Sequence, residues 1–148
     1  PCLLLAPTGK AALRLKSDVE FKGIEAFTMD KFISGYHSGE FTREKINRYK
    51  NIVIDEMSMV DLLKLRDLLS IIDFKQATFR RLILVGDPYQ LPAIGYGKVL
   101  NDIIYFITSH PEFSKSHIEL QSNLRQELVD SRILEFSEGF VSEGELSE

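Results

Sequence analysis

Four short apolar runs, each followed by a polar turn, constrain the fold of this chain more than any other feature. The runs are CLLLAP (2–7), NIVIDE (51–56), RLILVGD (81–87) and HIELQ (117–121). The second and third are continuously apolar, which is typical of strands buried on both faces of a parallel sheet. Helical patterns lie between the runs, at 10–17 and at 60–72. Strands that alternate with helices predict an α/β fold built from crossover units.

The composition is that of a globular domain. The chain has 148 residues, of which 44% are hydrophobic, and this is enough for a packed core. No apolar stretch approaches the roughly 18 residues of a membrane span, and the opening CLLLA run has no basic flank and is too short for a signal peptide. We therefore expect a soluble, cytoplasmic protein with no membrane partner. Cys2, the single cysteine, is expected to be a small buried hydrophobe.

Charge is unevenly distributed along the chain. The net charge is −4, but the segment after Gln126 holds seven acidic residues and one basic residue, which leaves 15 acidic and 17 basic residues in 1–126. This mild positive balance neither supports nor excludes nucleic-acid binding. The acidic segment 127–148 is predicted to form a helix and a frayed terminus.

One stretch differs from the α/β pattern around it. Residues 34–49 contain Gly35, Ser38 and Gly39 between aromatic residues, a pattern suited to a tight β-hairpin inserted into the α/β frame. An ordinary surface loop is the alternative interpretation of the same residues.

Two adjacent carboxylates follow the second apolar run. In a parallel sheet, ligands collect at the carboxyl ends of the strands, so Asp55 and Glu56 are expected where a nucleotide would bind. There an Asp can hold Mg²⁺ through its water shell, while the next Glu orients and deprotonates the attacking water. An ordinary solvated turn or helix cap would have the same two residues.

The third run ends in a second polar string, GDPYQLP (86–92). Gly86 would permit a sharp exit from the strand, and Gln90 lies three residues beyond Asp87, where an amide can contact a γ-phosphate or the attacking water. The alternative is that Asp87-Pro88 forms a simple turn and Gln90 is exposed. That alternative leaves the GDxxQLP string without an explanation.

These strings resemble the motifs of superfamily 1 DNA helicases of the RecD and exonuclease V alpha-subunit type. In the order of the chain, the matches are APTGKAALRL (6–15) to motif Ia, AFTMDKFI (26–33) to motif Ib, DEMSMVD (55–61) to motif II, LVGDPYQLPAIGYGKVL (84–100) to motif III and LQSNLRQ (120–126) to motif IV. Two positions depart from the family: Asp30 stands where a His is common, and Asn123-Leu124 replaces a commoner Asn-Phe. The resemblance implies a partial RecA-like P-loop NTPase domain over 1–126, with ATP and Mg²⁺ as its ligands.

The resemblance also implies roles for the residues at the ATP site. Asp55 would bind Mg²⁺, Glu56 would act as general base, and Gln90 would sense the γ-phosphate. Arg125 would reach the γ-phosphate as an arginine finger, because a guanidinium fork suits the developing charge; a surface salt bridge to a nearby acidic residue is the alternative. Gly86 and Asp87 would complete the nucleotide site.

A second set of residues would contact DNA in such a helicase. Pro7, Thr8 and Thr28 would line the track of the single strand, with Lys10 as a further candidate. In RecD-like helicases an inserted hairpin splits the duplex at the junction, and the resemblance implies this role for the insert around Tyr36, His37, Phe41 and Tyr49.

The string PTGK (7–10) is not a Walker A loop. That loop requires G-x-x-x-x-G-K-[ST], whereas Leu4 stands at the first Gly and Ala11 at the hydroxyl that binds magnesium. We therefore expect a fragment whose Walker A loop precedes Pro1 in a longer parent protein, and we expect the isolated chain to be inactive.

The parent is expected to be a DNA-dependent ATPase that moves on single-stranded DNA, in the five-prime to three-prime direction by family analogy, in recombination or repair. Its expected partners are a second motor domain, reached through 127–148, and nuclease or helicase subunits. The alternative is a non-catalytic DNA-binding or scaffold subunit with a degenerate ATPase site. A metal nuclease built on Asp55, Glu56 and Asp87 is less favoured because no Glu-x-Lys partner follows.

Overall fold

The computed structural model of the chain describes residues 1–17, 23–76 and 78–120. Its elements, in chain order, are β1 (Cys2–Ala6), α1 (Gly9–Ser17), β2 (Ile24–Thr28), α2 (Met29–His37), α3 (Arg43–Ile46), β3 (Asn51–Ile54), a 3₁₀ turn (Met57–Met59), α4 (Leu62–Ile71), β4 (Arg81–Leu84), α5 (Val99–Ser109) and a second 3₁₀ turn (Ser114–Ser116). The chain divides into two compact units, Pro1–Tyr105 and Phe106–Glu148. The sheet belongs to the first unit.

The four strands form one parallel sheet in the order β2-β1-β3-β4. Cys2 at the start of β1 is in register with Ile24 and with Asn51, and Asn51 is in register with Arg81. The predicted α/β fold is confirmed. Because the strands run in one direction, the residues that follow them meet at one side of the sheet, which we call the carboxyl edge; the residues that precede them form the amino edge.

The core lies on the central strands and under the helices. Leu3, Leu5, Ile52 and Ile54 are at most 1% exposed, and they pack with the inner side of α4. The prediction of burial on both faces is wrong for β4, in which Arg81 and Ile83 are exposed. Leu82 and Leu84, on the other face of β4, pack against the core, so β4 is covered on one face only within the described part of the chain.

Polar side chains start helices α1 to α4. Each accepts a hydrogen bond from the backbone N–H three residues later, which satisfies one of the unpaired donors of the first turn. The pairs are Thr8 with Ala11 (3.2 Å), Thr28 with Lys31 (3.1 Å), Thr42 with Lys45 (3.3 Å) and Asp61 with Lys64 (2.8 Å). Three of these residues follow a strand or its turn closely, so several helices begin near the carboxyl edge.

The predicted hairpin over 34–49 is wrong. The segment contains the end of α2, a turn, and the short helix α3. Gly39, with φ +83°, forms the turn after α2, and the Thr42 cap then starts α3. Local caps and a left-handed glycine therefore give two helices where the sequence suggested two strands.

The aromatic residues of this segment are mostly part of the core. Phe41 is 2% exposed and Tyr49 is 3% exposed, and the Phe41 ring lies 5.3 Å from that of Phe32. Gly35 faces Phe41 so closely that a Cβ there would lie 2.4 Å from the ring. Gly35 is thus required for packing, and the spacing of glycine and aromatics reflects this contact.

The predicted strand at 117–121 is not observed: residues 117–120 form no strand, and Gln121 lies outside the described residues. Strand β2 and helices α2 and α5 were not predicted. In the second unit, the rings of Phe106 and Phe113 stack at 5.8 Å, and the His110 ring lies 4.3 Å from that of Phe106. In the described residues, no helix has the length and apolar character needed to cross a membrane.

Candidate active site

The two predicted catalytic carboxylates occupy a sharp turn at the end of β3. The backbone N–H of Asp55 still pairs with the Leu5 carbonyl of β1 (2.8 Å), and the Asp55 Oδ1 atom accepts the backbone N–H of Glu56 (3.0 Å). Glu56 has φ 54° and ψ 43°, and it is the one non-glycine residue with positive φ among those described. This conformation costs about 1–2 kcal/mol for a residue with a Cβ. Such strain is retained where the surroundings hold it, often at functional sites.

The neighbouring strand holds this turn in place. The Met57 N–H donates to the Val85 carbonyl (2.9 Å), and the Val85 N–H donates to the Ile54 carbonyl (2.8 Å). Met57 is fully buried. The strained residue Glu56 is therefore held between two residues with fixed backbones. Asp55 is hydrogen-bonded to β1, and Met57 is hydrogen-bonded to Val85, which follows β4.

Gly86 provides the clearance that this arrangement needs. A Cβ at Gly86 would lie 2.9 Å from Leu100 Cδ2, 3.0 Å from the Met57 backbone nitrogen and 3.1 Å from Met57 Cβ. Gly86 is not among the described glycines with positive φ, which are Gly23, Gly39 and Gly97. The glycine is thus explained by the close approach of two turns, and the predicted reason, a sharp change of chain direction, is not needed.

Gln90 lies in a turn organised by Asp87. Asp87 Oδ1 accepts the Tyr89 N–H (2.9 Å), and the Gln90 N–H donates to the Asp87 carbonyl (3.2 Å). The Gln90 side-chain amide is exposed and lies 3.4 Å from Asp87 Oδ2, a long hydrogen bond. The simple turn of the alternative interpretation is therefore present, and it leaves the Gln90 side chain accessible and loosely held.

The part of the loop after Gln90 is hydrogen-bonded to the segment that follows Glu56, and the sequence did not indicate this connection. The Ala93 N–H donates to the Ser58 carbonyl (3.0 Å), and the Leu62 N–H donates to the Tyr96 carbonyl (3.0 Å). Gly95 packs so tightly that an added Cβ would lie 2.6 Å from the Asp61 side chain. The segments of motifs II and III therefore form one connected unit.

Predicted DNA-contacting residues also lie at the carboxyl edge. Pro7 and Thr8 follow β1, and Thr28 ends β2 in register with Ala6. The two threonine oxygens accept hydrogen bonds from helix N–H groups, so each hydroxyl hydrogen can still donate to another acceptor. Two nine-residue helices, α1 and α2, begin here, and helix amino ends favour phosphate. Lys10 is exposed in the first turn of α1.

Tyr36 and His37 are not brought to this edge. They lie in the last turn of α2, about 12 Å along the helix from Met29 at 1.5 Å per residue. The Tyr36 hydroxyl accepts a hydrogen bond from the Arg43 guanidinium (2.8 Å). Without the predicted hairpin, the structural basis for a role at the duplex junction is missing.

Asp30, which stands where the family often has His, pairs with Lys64 of α4 at 3.0 Å. Asp30 and Lys64 also line a groove of about 830 Å³ between α2 and α4, together with Asp61 and Asp67. None of the predicted nucleotide residues that the structure describes lines this groove, so it is not the candidate ATP site.

The described residues contain no group of three His, Cys, Asp or Glu side chains arranged to hold a metal ion. Mg²⁺ in nucleotide sites usually has one or two carboxylates, with waters and phosphates completing its shell. Asp55 fits this need, because Oδ1 is used by the Glu56 N–H and Oδ2 is left available. Arg125, the predicted arginine finger, lies outside the described residues, as does most of the motif IV string.

A family model described as AAA domain matches residues 1–142. The chain belongs to this family. It is 35% identical over 133 residues to the RecBCD enzyme subunit RecD of Mycolicibacterium smegmatis, covering 77% of this chain and 23% of that protein. It is 31% identical over 132 residues to DNA helicase B of Mus musculus, covering 84% of this chain and 11% of that protein.

The resemblance to RecD-like helicases is confirmed by these relatives, and the chain spans about a quarter or less of their length. Among solved structures, the chain is similar to Bacteroides sp Pif1 in complex with ADP-AlF4, with a TM-score of 0.42 and 24% identity, covering 71% of this chain and 26% of that one.

Proposed function

We propose that this chain supplies the hydrolytic residues of a motor domain in an ATP-dependent DNA helicase. The observation that carries the proposal is the carboxylate turn of Asp55 and Glu56, which is fastened to the Gln90 loop at the carboxyl edge of a parallel sheet. Ligands of open α/β sheets bind at this edge. The family of AAA domains and a relative named DNA helicase B support the same reaction class.

In this proposal each residue acts from the position that the turn gives it. Asp55 would hold Mg²⁺, which when bound neutralises charge on the ATP phosphates. Glu56 would orient and deprotonate the attacking water, and its strained backbone fixes where the carboxylate can point. Arg125 would stabilise charge on the γ-phosphate in the transition state.

Gln90 would report the state of the nucleotide. Its long hydrogen bond to Asp87 is weak enough to be exchanged for a γ-phosphate oxygen. A shift of this loop would be transmitted through the Ala93–Ser58 bond and the Tyr96–Leu62 bond to the start of α4. This gives a physical link between loss of the γ-phosphate and movement of the domain.

Single-stranded DNA would lie at the same edge, with its phosphates near Thr8, Thr28 and the amino ends of α1 and α2. Pro7 and Lys10 would flank this track. We further propose five-prime to three-prime movement, a role in recombination or repair, a cytoplasmic location, and assembly with a second motor domain and with nuclease or helicase subunits.

The test is DNA-stimulated ATP hydrolysis by the complete parent protein, with and without Asp55→Asn. Loss of the metal-binding carboxylate should lower Mg²⁺-dependent turnover by about 100-fold or more. Asp67→Asn, which changes an exposed carboxylate paired with Arg66, is the matched control and should leave turnover unchanged. The 148-residue chain alone should show no turnover, because it contains no G-x-x-x-x-G-K-[ST] string.

A parent protein that binds DNA but hydrolyses no ATP would instead support the scaffold alternative. Equal losses in the two Asp variants would also contradict the proposal, because they would show a general effect of charge.

A further inference from the structure

A group of exposed basic residues lies at the amino edge of the sheet, at the opposite ends of the strands from the candidate active site. We call it the basic patch, and it consists of Arg48, Lys50, Lys75, Arg80 and Arg81. Lys50 is five residues before Asp55 along an extended strand, so the patch is about 16 Å from the carboxylate turn at 3.3 Å per residue. It is therefore separate from the proposed DNA track.

Backbone hydrogen bonds fix these residues close together. The Lys50 carbonyl accepts the N–H groups of both Arg80 (2.7 Å) and Arg81 (3.3 Å), and adjacent parallel strands are about 4.7–4.9 Å apart. The Thr78 hydroxyl donates to the Asn47 carbonyl (2.7 Å), which joins the turn before β3 to the loop before β4. The basic residues thus come from two joined segments rather than from scattered surface positions.

Within residues 1–17, 23–76 and 78–120, little of the positive charge of the patch is compensated. None of its five residues makes an ion pair with another described residue. Hydrogen bonds from the Gln76 side chain and the Lys75 N–H, with smaller contributions from the charges of Arg43 and Lys75, hold the pKa of Asp73 below its usual range. Asp73 offsets Lys75 in part, but Lys50, Arg80 and Arg81 carry like charges close together where β3 and β4 begin. Like charges held this close repel one another, and they occur here although the chain as a whole is acidic, at −4.

An exposed aromatic ring adjoins the patch. Phe74 is 46% exposed, and Phe79 holds its ring in an edge-on contact at 5.3 Å. A basic surface that tracks phosphates, combined with an exposed ring on which a base can stack, is the usual arrangement for binding single strands without sequence preference.

We propose that the basic patch with Phe74 is a second contact surface for single-stranded DNA, distinct from the track at the carboxyl edge. It goes beyond the proposed ATPase function and does not depend on it. A strand held here would be bound by phosphate contacts from Lys50, Arg80 and Arg81 and by stacking on Phe74, without readout of sequence.

The test measures binding of a dye-labelled oligothymidylate, about 20 nucleotides long, to the 148-residue chain by fluorescence anisotropy, between about 50 and 200 mM salt. The variant Lys50→Gln/Arg80→Gln/Arg81→Gln removes three charges. Its affinity should fall by about tenfold or more. The slope of log affinity against log salt should decrease by about 2, because each phosphate that a basic side chain neutralises on a single strand adds roughly 0.7 to that slope.

The matched control is Arg66→Gln/Lys98→Gln/Lys115→Gln, which removes three exposed charges elsewhere. It should bind within about twofold of the unmodified chain. Arg48→Gln/Lys75→Gln changes residues outside the strands and should also weaken binding, which covers the case in which the triple variant fails to fold. Phe74→Ala should weaken binding of the oligothymidylate more than binding of a duplex of equal charge.

Four results would overturn the proposal. They are no binding at the lowest salt concentration, an unchanged salt slope in both patch variants, an equal loss in the control, and binding of labelled polyglutamate as tight as that of the oligothymidylate. The last result would identify an acidic protein segment as the partner.

Discussion

The close approach of Gly86 to Met57 gives a prediction whose size can be worked out from the structure. In Gly86→Ala, the new Cβ would lie 2.9 Å from Leu100 Cδ2, and that side-chain end can move. It would also lie 3.0 Å from the Met57 nitrogen, which is anchored by its hydrogen bond to the Val85 carbonyl. Since Met57 is fully buried, the strain cannot be relieved towards solvent. Overpacking of this kind costs about 1–3 kcal/mol.

We therefore expect Gly86→Ala to lower the free energy of unfolding by about 2 kcal/mol. Urea denaturation of the 148-residue chain, followed by circular dichroism, measures this change, and the slope against urea should stay the same because the surface exposed on unfolding is unchanged. In the complete parent, the same variant should also reduce ATP hydrolysis, because movement of Met57 shifts the adjacent Glu56.

Gly9→Ala is the matched control, since a Cβ at Gly9 would meet nothing within 4 Å and Gly9 begins α1. Alanine is favoured over glycine in helices, so this variant should be as stable as the original chain or slightly more stable. The reasoning is refuted if Gly86→Ala unfolds within about 0.5 kcal/mol of the original chain, which is the range of an ordinary surface change.

Three further predictions concern single residues. Glu56→Gly should raise the free energy of unfolding by about 1 kcal/mol, because glycine adopts φ 54° without a Cβ penalty. The same variant should abolish ATP hydrolysis in the parent, because the carboxylate is removed. A loss of stability in urea denaturation would show that the turn is not strained. Burial, and then the hydrogen bond to Glu25, raise the pKa of Tyr49, so its contribution to stability is complete below its ordinary pKa of about 10 and is lost as the pH rises further. Denaturation at a series of pH values should show this loss above about pH 10 in the original chain, and a smaller loss in Tyr49→Phe. Phe41→Ala should cost about 3–5 kcal/mol and His37→Ala less than about 0.5, since Phe41 is buried and His37 is exposed; the reverse order in denaturation would contradict the described packing.

The sequence predicted the parts of the fold that depend on continuous local patterns. Strands β1, β3 and β4 and helices α1 and α4 follow from apolar runs and helical periodicity. Strand β2 was missed because the acidic Glu25 interrupts the apolar run IEAFT. The prediction of a hairpin was wrong because glycines and aromatic residues occur in the same pattern in a hairpin and in two helices that pack across a turn. Only the three-dimensional contact of Gly35 with Phe41 separates these two structures.

The sequence predicts which residues would form the candidate site, but it does not predict the geometry of that site. The positions of Asp55, Glu56 and Gln90 after two adjacent strands follow from the motifs. The left-handed conformation of Glu56 and the bond between Ala93 and Ser58 depend on how two loops pack, and no local pattern encodes this. Gly86 and Gly95 were a usable sequence signal for the close packing of these two loops, because closely packed turns often need residues without a Cβ.

Glu56→Gln in the complete parent tests the central claim most directly. The substitution keeps the size of the side chain and removes the base, so hydrolysis should fall by about 100-fold or more while nucleotide affinity stays within about threefold. Single-turnover hydrolysis and binding of a fluorescent ATP analogue measure the two quantities separately, and Glu44→Gln, at an exposed position in α3, should change neither. If affinity instead falls in step with hydrolysis, Glu56 is a structural residue or a metal ligand, and its assignment as the general base is wrong.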